Sequence, residues 1–192
     1  MADIKSALEL ALEKAEQYGR ASKEEMAAQQ HQEQGRGLAV HFLKEGGNLE
    51  EELRKLPAEA QGPARDAIKE VFLRNITLPR NGEADERQSR ALEGLLQVAR
   101  NKKAMAQMQA QLQQILQQFL QVRQNAYQQL KARFGATVGN MQRALEAQYR
   151  TRMKVEAEQI PQFQEEWRRF QSQLLDQFEP MLEDCKARMK EL

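Results

Sequence analysis

Residues 134–140 read FGATVGN, and how this stretch is read decides the fold. It holds two glycines, two β-branched residues and an asparagine, and long helical patterns flank it on both sides. Gly135 suits the cap of one helix, and Thr137 or Asn140 suits the start of the next. The arms on either side, 86–134 and 140–191, are nearly equal in length. At about 1.5 Å per residue each spans roughly 70 Å. Equal arms around a double-glycine segment predict an antiparallel hairpin bent at 135–140. The competing reading is one uninterrupted helix, because apolar residues continue at helical spacing through Val138, Met141 and Leu145.

Outward from the bend, the first arm carries Met105, Met108, Leu112, Ile115, Phe119, Val122 and Ala126 at alternating spacings of three and four. Spacings of four follow through Leu130 and Phe134, a drift that limits any left-handed supercoil. Leu116, Leu120 and Tyr127 widen this stripe to about three apolar positions per heptad, which fits burial against more than one neighbour. Residues 109–130 also contain ten glutamines and a single charge, Arg123. Because apolar residues order the segment, the glutamines read as neutral flanks of a packed helix. The second arm has its stripe at Ile160, Phe163, Trp167, Phe170, Leu174, Phe178, Leu182, Cys185 and Met189, with Pro161 expected to kink or split it. A bend at Val138 puts Met108 opposite Trp167 and Met105 opposite Phe170.

Toward the N-terminus the elements shorten. Ile4, Leu8, Ala11, Leu12 and Ala15 mark a first helix that Gly19 is expected to stop. Ser22 and Glu25 have capping-box spacing for a second helix, loosened at Gly35 and Gly37 and ended by Gly46-Gly47. Asn48 starts a short third helix that Pro57 stops, and Gly62-Pro63 opens a fourth with Ile68, Val71, Phe72 and Ile76 on its apolar face. NITLPRNG, Asn75 to Gly82, is the clearest loop. The expected organisation is a short-helix region, 1–82, and a long coiled-coil-like hairpin, 83–192, with the short helices packed on part of it as one cooperative unit.

Composition supports an all-α class, since strong helix formers dominate and β-branched residues are sparse. The 29 basic and 28 acidic side chains nearly cancel, which gives no global argument for nucleic acid or membrane. One cysteine permits no intrachain disulfide. The N-terminus lacks signal-peptide organisation, and no apolar run approaches the roughly 20 residues that span a bilayer. A cytoplasmic protein is expected. His31 and His41 have neither the spacing nor the partners for a zinc or di-iron site. No phosphate loop or nucleophile elbow is present. His41 and Glu45 read as a solvated or capping pair, and Cys185 as a buried core thiol. The expectation is no enzyme, no cofactor, no metal and no small-molecule substrate.

One charge feature stands out. Between Glu93 and Glu146 there is no acid, while Arg100, Lys102, Lys103, Arg123, Lys131, Arg133 and Arg143 are basic. Such a window can track phosphates or contact a partner. Its aromatic residues lie on the buried stripe, however, and are poorly placed to stack on bases. Charge complementarity inside the protein is the simpler reading. Residues 1–34, with seven acids against four bases, are the expected complement, because in the hairpin register no acid of the second arm falls opposite these bases.

IKSALELALEKAE near the N-terminus, FLRNITLPRNGEADERQ in mid-chain and the glutamine-rich helix that follows together resemble a family of uncharacterised bacterial all-helical proteins. The most specific pieces are Ile4–Glu16 and Asn75–Arg80. The resemblance implies a bacterial cytoplasmic origin and no known activity or ligand. In the loop, Thr77, Pro79 and Arg80 are candidate contacts, although a structural connector with Ile76 and Leu78 buried is favoured. The function expected overall is a non-enzymatic helical scaffold that binds another protein or itself. The alternative is a nucleic-acid-associated protein using the basic window.

Overall fold

A computed structural model describes residues 7–79, 86–150 and 154–192, with side chains from Glu25 onward. Among these residues there are six α-helices and no strand: α1 (Ala7–Glu45), α2 (Leu49–Arg54), α3 (Ala58–Arg74), α4 (Glu86–Val98), α5 (Lys102–Tyr149) and α6 (Pro161–Glu191). The chain is all-α. It divides into two compact units, one of residues 1–76, 86–105 and 192, the other of 77–85 and 106–191.

In the first unit α1 is a single helix. It passes Gly19 and Ser22 without a break, so the expected stop and restart there do not occur. One glycine within a long helix costs only about 1 kcal/mol, too little to end it. The helix ends at Gly46 and Gly47, both at positive φ (75° and 126°), where a glycine is at ease. Asn48 caps α2 by accepting from the backbone N–H groups of Glu50 and Glu51. α3 starts at Ala58, just after Pro57, and not at Pro63, which lies inside the helix.

Two glycines in this unit, Gly35 and Gly94, are packing devices. A Cβ on Gly35 would sit 2.3 Å from the carbonyl oxygen of Ala64, so α1 and α3 touch backbone to backbone there. A Cβ on Gly94 of α4 would meet the Phe72 ring at 2.4 Å. Around these close approaches Phe42, Leu53, Ile68, Phe72, Leu95 and Val98 are buried, with the Phe42 and Phe72 rings 5.7 Å apart. Polar side chains close the ends. Arg90 donates to the carbonyls of Leu43 and Lys44 at the end of α1. Arg65 donates to that of Val98, and Gln97 bonds both Leu49 and Gly47.

In the second unit α5 runs unbroken through residues 134–140, which overturns the bend expected there. Gly135 and Gly139 face open space and sit in helix like any exposed residue. With the apolar spacing carried past them by Val138, Met141 and Leu145, nothing forces a turn. The break in the first arm lies earlier instead, at Ala99–Asn101, where the Asn101 side chain accepts from the Ala104 N–H and starts α5. At its other end Arg150 takes a positive φ of 51°. A 3-10 turn, Ala157–Gln159, leads into α6, whose first residue is Pro161, the position a proline fills without losing a hydrogen bond.

α5 and α6 run antiparallel. Phe134 meets Phe163, Tyr127 meets Trp167, Phe119 meets Phe178, and the Cys185 thiol points at the Met108 carbonyl. Partners on α5 move down the chain as those on α6 move up. The register therefore differs from the expected one by several turns: Met108 lies beside Cys185, not Trp167, because the chain reverses after residue 149 and not at Val138. Near the reversal Phe134, Ala157, Ile160 and Phe163 form a buried cluster flanked by Tyr127, Leu130, Val138 and Trp167.

Candidate interaction surface

The reversal end of the second unit is locked by polar contacts. The Tyr127 hydroxyl donates to Glu158 Oε1, and Lys131 Nζ reaches the same oxygen at 2.9 Å. The Tyr127 and Lys131 hydrogen bonds hold the Glu158 carboxyl at about 2, below its ordinary 4.5. In return the bond to Glu158, with burial, raises the Tyr127 phenol, and the same carboxylate raises Lys131. Arg133 pairs with Glu166 one turn into α6. Beside the lock a shallow hollow of about 550 Å³ is lined by Tyr127, Glu158, Phe163, Gln164, Trp167 and Arg168.

These contacts account for part of the basic window. Lys131 and Arg133 meet acids of the second arm, where the expected register had placed none. Lys102 pairs with Glu50 of α2 at 2.9 Å and draws that carboxyl below its ordinary value. Its acid thus comes from α2, the short helix expected after Asn48, and not from residues 1–34, the expected complement. Arg123 lies over the Trp167 ring, 5.8 Å from its centroid. Arg143 bonds the Asn140 side chain and the Gly139 carbonyl. Arg100 and Lys103 are exposed. Five of the seven bases thus have local partners of several kinds. Of residues 1–34, the expected complement, 1–24 lie outside the residues whose side chains are described, and Glu33 pairs with Arg36 on its own helix.

Of the loop candidates, Thr77 is exposed, Pro79 is half-buried, and Arg80 lies outside the described residues. Ile76 and Leu78 are buried, as a connector requires. Cys185 is buried, and that burial raises its thiol's pKa. His41 and Glu45 form an exposed pair at 3.2 Å. Among the described residues no group of histidine, cysteine and carboxylate side chains is arranged to hold a metal ion. No described helix is long and apolar enough to cross a membrane.

The apolar stripe of α5 is only partly covered. Leu112, Phe119 and Phe134 are buried, Ile115, Leu116 and Leu120 are half-buried, and Val122 is 41% exposed. On α6 Met181 is 43% exposed. Val122 follows Phe119 by three residues, and Met181 follows Phe178 by three. Phe119 and Phe178 are a facing pair, with ring centroids 5.5 Å apart. In antiparallel helices equal offsets from a facing pair turn to the same side, since a twofold axis through that pair relates the two. Val122 and Met181 therefore share one face of the α5–α6 layer. Sequence reasoning detected the width of the stripe, but without the register it had no means of showing which side stays open.

Taken together, these features define an all-α protein whose second unit is a two-helix antiparallel layer with an apolar strip left open on one face. The chain belongs to a family of unknown function (DUF6657), whose model matches residues 50–191. The matched span includes residues 75–80 and the whole α5–α6 layer, and it excludes all of α1. No curated protein and no solved structure matches the chain.

Proposed function

We propose that this is a non-enzymatic helical interaction protein that binds a protein surface through the open face of the α5–α6 layer. The observation that carries the reading is the pair Val122 and Met181. Both are large apolar side chains more than 40% exposed, on the same face, set among amide side chains and half-buried Ile115 and Phe170. A layer of two helices buries only one side of each apolar stripe, and a stripe of three positions per heptad is matched by a further layer. Composition and resemblance support a bacterial cytoplasmic setting as part of the same proposal.

The test is a comparison of tagged wild-type chain with a Val122→Glu, Met181→Glu variant in affinity purification from the native host. Proteins recovered by the wild type, including untagged copies of the chain itself, are expected to be lost from the variant while its helical circular dichroism persists. Equal recovery by both would contradict the reading. The nucleic-acid alternative rests on Arg100, Lys103 and Arg143, exposed bases with no acidic partner among the described residues. It is the weaker reading, because Lys102, Lys131 and Arg133 already meet carboxylates. It requires salt-sensitive binding to DNA or RNA, which charge reversal at Arg100 and Lys103 would abolish.

A further inference from the structure

The open face has a pattern that identifies its occupant. At roughly 3.6 residues per turn, Gln111, Ile115, Gln118, Val122, Asn125 and Gln129 form one strip along α5. The strip lies about a quarter turn from the row that meets α6. Its spacings alternate four, three, four, three, four, the repeat that lets two helices keep one seam in contact. The sequence of spacings reads the same in either direction along the helix. On α6 the matching strip is Phe170, Gln173, Gln177 and Met181. Over this central region the face carries no charge: it is apolar side chains and primary amides, and every exposed side chain on it is a glutamine, asparagine, valine or methionine.

Charges appear only at the two ends. Arg133 pairs with Glu166 at one end, and Arg188 pairs with Asp184 at 3.1 Å at the other. Each end thus presents one base and one acid. A primary amide both donates and accepts, so a strip of amides is its own complement.

From these features we infer that the occupant of this face is a second copy of the chain, laid on by a twofold axis near Leu120 with the two α5 helices antiparallel. This inference rests on the interaction reading above and names its partner. In that arrangement Val122 of one copy comes level with Gln118 of the other, and the apolar centres of both strips are covered together. Arg133 and Glu166 of one copy come level with Asp184 and Arg188 of the other, each charge near its opposite. No base of one α5 strip faces a base of the next. A face that meets an identical face must be neutral or carry both signs at matched ends, and this one does both. An acidic or basic partner would leave the uncharged centre without complementary groups.

Sedimentation equilibrium on the full chain tests the assignment. The wild type is expected at twice its 22.2 kDa. Val122→Glu is expected to weaken dimerisation by about 100-fold or more, since it buries an unpaired charge in the seam, while circular dichroism stays helical. Single cysteines then test the geometry, with the native chain and its buried Cys185 as the baseline. Gln118→Cys, near the axis, is expected to form a disulfide-linked dimer. Gln129→Cys is not, because antiparallel strips hold the two copies of residue 129 about 27 Å apart along the axis. Linking at both positions overturns the antiparallel arrangement. A 22.2 kDa mass at all concentrations overturns the second copy. If a different protein is still captured in a manner sensitive to Val122→Glu, the wider interaction reading survives that result; if nothing is, both fall.

Discussion

Gly35 and Gly37 are neighbours on α1 with opposite surroundings, and they separate packing from propensity. A methyl on Gly35 would overlap the Ala64 backbone, whereas one on Gly37 would meet nothing within 4 Å. Gly35→Ala is therefore expected to destabilise the first unit by about 1–3 kcal/mol through forced separation of α1 and α3. Gly37→Ala is expected to stabilise it by about 0.5–1 kcal/mol through helix propensity alone. Urea denaturation of the two variants reads both signs. The sequence presents the two glycines alike, two residues apart in one helical pattern, and only the α1–α3 crossing distinguishes them. Glu158 offers a second test at this scale. Its folded pKa of about 2 lies below the ordinary 4.5, so its stabilisation is present above pH 4.5 and is lost as pH falls toward 2. The side chain is 38% exposed, so solvent screens the ion pair and keeps the effect modest. Thermal unfolding of wild type and Glu158→Gln is expected to differ at neutral pH and to converge in that acid window.

At the scale of elements, α5 decides the second unit. Thr137→Pro is expected to cost about 3 kcal/mol, because it removes a hydrogen bond and clashes within a continuous helix. Gly135→Ala and Gly139→Ala, both facing open space, are each expected to add up to about 1 kcal/mol of stability. Were residues 135–140 a turn, these signs would reverse, and chemical denaturation distinguishes the two outcomes. The helical content, the Asn48 cap, the Gly46-Gly47 stop and the α6 stripe were legible in the sequence, because each is a local signal. The chain reversal was not. Two glycines in an exposed helix look like a turn, whereas the actual reversal follows Arg150, a residue with no turn signature that takes a positive φ. The start of α5 was legible in principle: Asn101 stands three residues before the Ala104 N–H that it accepts from.

At the scale of the molecule, register turns a list of charged and apolar residues into surfaces. Moving the reversal past residue 149 brings Glu158 and Glu166 to Lys131 and Arg133, so bases that looked unmatched have acids in the same unit. The same register turns Val122 and Met181 to one side and leaves between them an uncharged strip of amides and apolar groups. The width of the α5 stripe could be counted from sequence, but its uncovered side depends on which α6 residue faces Phe119. This strip is the surface proposed to contact protein in the cell. The most direct measurement is photocrosslinking with benzoylphenylalanine placed at Val122 in the native host, with Glu179 on α6 as the comparison site. A discrete crosslinked protein band is expected from position 122 and none from 179. A chain that stays uncrosslinked at 122, while folded and expressed, would contradict it.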